Sequence, residues 1–445
     1  MQLEGRWRGR ALVAVVVAGL LVAACGSSTK KAASTTTTPG SSAPALTGVP
    51  GVTATEIHFS AIATSTASNP LGQCTLECFA GGIKAYFEYR NSEGGIYGRK
   101  LVLDTPIDDE LGKGQQTALQ VISKNDTLAT FTDTIISNYD EFNKANWPIY
   151  SYLTDPAASS GHLNLFGTYS GSSFDIPRIT DPFLPQYFKA TKIGVLGYGV
   201  ASSETCVDQI VNEFKGPYAK YGSVVYSNKS LVFGLSNGVG PEVTAMKKAG
   251  VQLIYTCIEI NGFKTFAQEL KRQGLDAHMV TYGSFEDDFI KANASVLEGM
   301  VQQVRERPSV ADPIPARKLF DKWTAKTKAN VKQTTLEGWG AADLMFQGLK
   351  KAGPNFSRQK LMDATNTLKQ WTAGGLFAPV DVGRQHQGSS PSDPTTHGDM
   401  PNCFSFTEVK GGKLTFISPT TAAKPFLCWP GTTYEYSDPT ARSLD

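Results

Sequence analysis

Gly234-Leu235-Ser236-Asn237-Gly238 has the spacing of a serine-hydrolase nucleophile loop. That chemistry needs its serine pinched between a strand and an immediately following helix, so that the hydroxyl stands clear of the backbone. Here helical character begins only at Pro241, which leaves Ser236 in a relaxed loop. His278, His386 and His397 lie downstream without a readable acid partner, so a serine esterase is a minor alternative. Gly197-Tyr198-Gly199 follows a strand, but Ser202 replaces the third glycine of a dinucleotide loop and the next strand ends at Asn228, not at a ribose-binding acid. Glu286-Asp287-Asp288 lacks the spaced ligands of a calcium loop and reads as a helix start. Asp108-Asp109 reads as a cap for the helix after it. No cluster has metal-ligand spacing, so neither a metal nor a cofactor is expected, and the chain does not read as an enzyme.

The cysteines carry the clearest covalent chemistry. Arg6, Arg8 and Arg10 precede an apolar run from Ala11 to Ala24 that closes on Val22-Ala23-Ala24-Cys25-Gly26. Basic, apolar and small-residue parts in that order make a signal peptide, and Cys25 supplies a thiol for diacylglycerol. A plain secretory signal ending in Ala-Ala-Cys is the alternative. On the lipoprotein reading the mature chain begins at Cys25, lies outside the cytoplasmic membrane and is held by its acyl group alone. Six cysteines remain in an oxidising compartment, and their fifteen possible pairings are not resolved by sequence. Proximity in an α/β fold favours Cys206–Cys257 and Cys403–Cys428, which leaves Cys74–Cys78.

Removing residues 1–24 takes three arginines and Glu4 from 42 basic and 40 acidic residues, so the mature formal charge is zero. A neutral chain without a basic run offers nothing to nucleic acid or to anionic lipid. Residues 25–50 are mostly Ser, Thr, Ala, Gly and Pro, with few charges and almost no large apolar side chains, the composition of a flexible tether. The remaining ~390 residues suit two lobes.

Those lobes must position any site. Strand and helix patterns alternate over 56–63, 77–91, 100–107, 115–124, 128–132, 139–145 and 148–152. A second series covers 193–198, 205–221, 223–227, 241–249, 251–256, 263–273 and 278–282. This βαβα order predicts parallel sheets covered on both faces. Helices follow at 316–328, 336–352 and 358–367, then a hairpin over 404–408 and 413–418 turning at Gly411-Gly412.

Tyr86-Phe-Glu-Tyr-Arg-Asn-Ser-Glu-Gly-Gly-Ile-Tyr-Gly-Arg-Lys-Leu101, with Asp108-Asp109 after the next strand, resembles a signature of the Leu/Ile/Val-binding family of solute-binding proteins. Gly51 to Ile57, Ile193 to Tyr198, Val243 to Thr256, Phe263 to Gly274 and Gly338 to Asp343 are similar to the family in the same order. The resemblance implies a type I periplasmic-binding fold: two doubly wound α/β lobes joined by three crossovers, with a solute held between them for an ABC importer. Lobe 1 would comprise 51–180 with 305–373, and lobe 2 would comprise 181–304 with 374–440. A monomer with a small-molecule solute and a permease as partners is expected, and a ligand-sensing receptor of the same fold is the alternative.

Ligands of open α/β sheets sit beyond the carboxyl ends of strands. The polar strand ends are therefore the candidate ligand contacts: Ser65, Thr66, Ser137, Asn138, Tyr152 and Thr154 in lobe 1, with Tyr198, Ser202, Glu259, Asn261, Tyr282 and Ser284 in lobe 2. The usual amino-acid clamp of the family is incomplete. Glu259 and Ser202 stand where those binders place tyrosines, and Gly283 where they place a carboxylate for the ammonium group. Glu259 is open to two readings, a replacement cation-binding carboxylate or a solvated loop residue.

Overall fold

The computed structural model describes residues 46–136, 139–154, 156–170, 180–284, 286–387, 403–428 and 440–442. The first series runs β1 (Glu56–Ala63), α1 (Leu76–Ser92), β2 (Lys100–Leu103), β3 (Ile107–Asp108), α2 (Gly114–Lys124), β4 (Thr130–Asp133), α3 (Tyr139–Lys144), β5 (Ile149–Thr154), α4 (Pro156–Ser159) and β6 (Leu165–Ser170). Its sheet has the order β2-β1-β4-β5-β6, with β3 also on β1, and every pairing is parallel.

The second series runs α5 (Phe183–Phe188), β7 (Lys192–Tyr198), α6 (Ala201–Lys215), β8 (Ser223–Leu231), α7 (Gly240–Ala249), β9 (Leu253–Cys257), α8 (Ile260–Gln273), β10 (His278–Thr281), α9 (Asp287–Ala292), α10 (Ala294–Leu297) and β11 (Val301–Val304). After α11 (Pro315–Thr327), α12 (Gln333–Ala352) and α13 (Arg358–Thr365) come β12 (Cys403–Lys410), β13 (Lys413–Phe416), β14 (Phe426–Cys428) and β15 (Thr440–Arg442). The second sheet has the order β15-β14-β12-β11-β10-β9-β7-β8, parallel from β8 to β11 and antiparallel from β12 outward. The chain passes between the sheets three times: after β6, after β11 and before β12.

The strand sequences explain the layering. Leu253-Ile-Tyr-Thr-Cys257 is buried throughout, as a strand covered by helices on both faces must be. The edge strand β8 alternates exposed and half-buried residues along most of its length. Phe59, Phe131, Tyr150 and Phe166 form an aromatic seam in the first core, each side chain contributing ~1.5–3 kcal/mol by its burial. Helix α12 is buried along most of its length against α1. The two approach so closely that a Cβ on Gly338 would stand 2.1 Å from the Phe79 carbonyl oxygen, and one on Gly82 1.9 Å from that of Thr335.

The motif that carries the family resemblance does structural work. Tyr86 donates to Asp343 Oδ1 at 2.7 Å, Trp371 Nε1 donates to Asp343 Oδ2 at 2.9 Å, and Arg90 Nε donates to the Tyr86 hydroxyl at 2.8 Å. Asn91 pairs with the Leu101 backbone through both its amide atoms. Ile96 and Arg99 exchange backbone hydrogen bonds across Tyr97-Gly98, both at positive φ, as a two-residue hairpin turn requires.

Several boundaries differ from expectation. The Lys100–Ile107 strand divides into β2 and β3, and the Thr205–Tyr221 helix begins at Ala201 and stops at Lys215 before a 3₁₀ turn. Strands β6 and β11 were not foreseen. In β11, Gln302 and Gln303 are both buried, and Gln303 donates to Thr180 Oγ1 and Asp181 Oδ1 at 3.2 Å each. The tether does not extend to residue 50, because Leu46 and Val49 pack against the first core. Nor does the second lobe take the chain from 374 onward: Leu376, Phe377, Val380 and Val382 belong to the first core, and the chain joins the second sheet at Cys403. All three expected disulfides are present, Cys74–Cys78, Cys206–Cys257 and Cys403–Cys428. Cys25 lies outside the described residues.

Candidate functional site

The carboxyl ends of both sheets open onto one cavity of about 310 Å³. Its first wall comes from Ile135 after β4, Tyr152 in β5 and Tyr169 in β6, joined by Leu71 and Gln73 from the β1–α1 loop. Tyr152 and Tyr169 meet edge to face with ring centres 6.1 Å apart. The loop is drawn into shape by Asp108, which accepts from Ser65 N at 2.9 Å and from the Ser65 and Ser68 hydroxyls at 2.6 Å each. Burial works to raise the Asp108 pKa, but these donors and the Glu110 amide overrule it and hold it down to about 2.

The second wall is built around helix starts. Val200, Ser202 and Ser203 enter α6, and Glu259 enters α8. The Cys206–Cys257 disulfide ties α6 to the end of β9 and itself lines the cavity. Tyr198 and Phe233 pack with ring centres 5.2 Å apart, and Tyr282 follows β10. Phe233 is carried on a 3₁₀ turn whose Gly234 and Leu235 both have positive φ.

Glu259 is not a solvated loop residue. It is the N-cap of α8: its carboxylate accepts the Gly262 amide at 2.8 Å, the Asn261 amide, and the Tyr198 hydroxyl at 2.8 Å. Burial nonetheless leaves its pKa raised. A carboxylate at a helix N-terminus satisfies orphan amides and meets the positive end of the dipole, and three protein donors take up most of its roughly four acceptor positions.

Between the walls, β11 supplies Gln303 and the segment after it Arg305 and Glu306. The Arg305 guanidinium carbon lies 5.3 Å from the Tyr169 ring centre. Behind it sit further buried acids. Burial raises the pKa of Glu306; burial, with Asp133 and Glu306 nearby, raises that of Glu337 well above the usual range; burial, with Asp109 nearby, pushes Asp133 up to about 7. These groups favour their protonated forms because water is excluded and like charges face one another.

Of the residues expected from sequence, Tyr152, Tyr198, Ser202, Glu259 and Tyr282 line the cavity. Ser137, Asn138 and the Thr154 side chain lie outside what the structure describes. Ser65, Thr66, Asn261 and Ser284 are not among the lining residues. Ser65 and Thr66 are occupied with Asp108 and Glu77. Asn261 and Ser284 fasten the lobes together: Asn261 Nδ2 donates to the Leu71 carbonyl at 2.8 Å, and Ser284 N donates to Gln333 Oε1 at 2.9 Å. Lys332 adds ion pairs to Glu286 at 2.6 Å and Asp288 at 3.1 Å. Asp108 and Asp109 brace the turn rather than cap α2, whose N-cap is Lys113.

Sequence reasoning missed Tyr169, Phe233 and Arg305. Tyr169 lies on an unforeseen strand and Arg305 at a crossover. For Phe233 a signal was present, since the glycine directly after it marks a turn beyond a strand end. Ser236 is exposed in a turn, with α7 starting at Gly240, so the strand–serine–helix elbow is not formed. Among the described residues, no three His, Cys, Asp or Glu side chains gather closely enough to hold a metal ion, and no helix is long and apolar enough to cross a membrane.

A profile of the Periplasmic binding protein family matches residues 65–413. No curated protein matches the chain. Solved structures with the same fold include a substrate-binding periplasmic protein from Ralstonia solanacearum, 18% identical with a TM-score of 0.65, covering 81% of this chain and 99% of that one. A fatty acid ABC transporter substrate-binding protein from Thermomonospora curvata is 17% identical with a TM-score of 0.64, covering 83% and 93%. An ABC transporter solute-binding protein from R. palustris, in complex with benzoate, is 18% identical with a TM-score of 0.62, covering 84% and 98%. At such identities the structural likeness speaks for the fold alone. Because the family profile spans most of the chain and its two lobes close on a common cavity, this chain belongs to the Periplasmic binding protein family.

Proposed function

We propose that this protein is an extracytoplasmic, Cys25-acylated solute-binding protein that captures a small amphiphilic compound between its lobes and hands it to an ABC importer. The observation that carries this reading is the cavity at the facing strand ends, with aromatic rings on both walls and helix starts on one. Its volume, about 310 Å³, suits a compound of modest size. Tyr152, Tyr198 and Tyr282 supply ring faces and edges to the solute, and Ser202 supplies a polar contact. The hydrogen bonds from Asn261 and Ser284 across the lobes favour the closed arrangement, so a ligand that bridges both walls shifts the population toward closure. The structural neighbours named for transport of a fatty acid and for a benzoate complex support an importer role and an amphiphilic ligand.

The test is thermal unfolding of the mature protein against fatty acids, aromatic acids, amino acids and sugars, paired with uptake by cells lacking the gene. A ligand at about 100 times its dissociation constant adds about 2.7 kcal/mol to stability. A stabilising solute whose uptake falls in the deletion strain supports the proposal. Uptake that is unchanged for every stabilising solute removes the importer role and favours sensing.

A further inference from the structure

The lobes meet through a side chain as well as through hydrogen bonds. Asn69-Pro70-Leu71-Gly72, in the β1–α1 loop of lobe 1, has the residues that a type I turn prefers at its first, second and fourth positions. The turn closes where the Gly72 amide donates to the Asn69 carbonyl at 3.0 Å. Asn69 fixes it from inside: its Oδ1 accepts the Leu71 amide at 2.9 Å, and its Nδ2 donates to the Gln73 carbonyl and Thr75 Oγ1 at 3.2 Å each. Both ends of the loop are fastened to lobe 1. Ser65 and Ser68 donate to Asp108, and Thr66 donates to Glu77. The Cys74–Cys78 disulfide joins the loop to α1, and Thr334 in the first turn of α12 donates to the Cys74 carbonyl at 2.7 Å. At the tip, Pro70 and Gly72 are exposed, yet Leu71 between them is buried. Leu71 belongs to a hydrophobic core of lobe 2, whose other buried members, Tyr198 and Leu235 among them, all come from residues 196–300 and 409–414. Asn261 of lobe 2 accepts none of this apolar contact but holds the Leu71 carbonyl at 2.8 Å, and Leu71 also lines the cavity. An apolar side chain carried by one lobe and covered by the other returns to water whenever the lobes part, at a cost in free energy.

From this geometry we infer that Leu71 is a positioning residue for solute capture: a turn prebuilt on lobe 1 sets its side chain into the core of lobe 2, and that burial holds the lobes closed over the cavity. Closure is measured without any solute, and only its consequence for capture rests on the proposed solute-binding role. Small-angle scattering and hydrogen exchange on the ligand-free mature protein, on Leu71→Ala and on Leu71→Met test it. Leu71→Ala should raise the population of open molecules at least ~10-fold, which corresponds to ~1.4 kcal/mol and lies below the usual cost of truncating a buried leucine. Leu71→Met keeps the apolar volume and should restore most of the closed form. In Leu71→Ala the amides at positions 71 and 72 should keep their protection from exchange, because Asn69 holds the turn. An unchanged scattering profile in Leu71→Ala overturns the inference. Loss of protection at positions 71 and 72 also overturns it, since the leucine would then serve to hold its own loop. Any solute of the unfolding panel that stabilises the parent should bind Leu71→Ala at least ~3-fold weaker, as a smaller closed population requires; equal affinity removes Leu71 from capture. If no panel solute binds, the solute-binding role falls, and scattering and exchange still decide whether Leu71 closes the lobes.

Discussion

The two walls of the cavity handle their carboxyl groups in opposite ways. In lobe 2, Glu259 stands at a helix start and accepts from two backbone amides and a tyrosine hydroxyl. In lobe 1, Asp133 ends β4 beneath the surface, and its Oδ2 has no hydrogen-bond partner. Asp108, at the end of the nearby β3, shows that strand position is not the cause, because four hydrogen bonds bring its pKa down to about 2. Four donors outweigh burial at Asp108, whereas at Glu259 burial outweighs three donors, and at Asp133 burial acts together with the nearby Asp109.

The largest expected effects test the rigid frame on either side. Gly338→Ala would drive a methyl group into the Phe79 carbonyl at the α1–α12 contact, and it should cost at least ~1–3 kcal/mol in chemical denaturation. Removing the Cys206–Cys257 bridge from the other wall, by replacing both residues with alanine, should cost ~2–4 kcal/mol. Removing Cys74–Cys78 should cost less, because it spans a sequence separation of 4 rather than 51. Equal losses would mean that local packing, not chain closure, sets their contribution.

The proton-carrying interior of lobe 1 should appear in the pH dependence of stability. Asp133 has a folded pKa of about 7 against a reference of 3.8, so the fold favours its protonated form. Its contribution is whole below about pH 4 and is lost as pH rises through 7. Asp133→Asn removes that loss. The variant should match the parent at pH 4 and exceed it above pH 7 by an amount on the order of a few kcal/mol at most. Curves that stay parallel across this range would show that Asp133 is ionised in the fold.

A smaller effect is expected at the contact between the lobes. Asn261→Ala removes one hydrogen bond to Leu71, worth ~0.5–1.5 kcal/mol, and should weaken ligand binding up to ~10-fold without touching the cavity lining. Small-angle scattering should show a more open ligand-free protein. Ser236→Ala should be silent, with stability within ~0.5 kcal/mol and binding unchanged, since the side chain is exposed in a turn.

Much of the fold was legible because periodicity and motif spacing are local properties. Glu56–Ala63 was read to the residue, and the Tyr86–Leu101 motif announced an α/β hairpin-linked unit whose atoms serve structure. The cavity was less legible for the same reason. Ser65 and Asn261 are polar strand-end residues like Tyr152 and Ser202, and nothing in their neighbours' identities shows that Asp108 and Leu71 take up their hydrogen bonds. Gln303 gives no local sign of its burial because its partners, Thr180 and Asp181, lie on another segment of the chain.

By itself, the sequence determined the two wound sheets and a set of six cysteines able to pair, because alternation and residue count need no distant partner. Tertiary structure decided which strand ends line the cavity, which carboxyl groups have raised pKa values, and that Glu259 caps a helix with Tyr198 as a further donor. Those outcomes depend on donors and on exclusion of water, and part of both comes from residues tens of positions away, such as Tyr198 at Glu259 and Ser65 at Asp108.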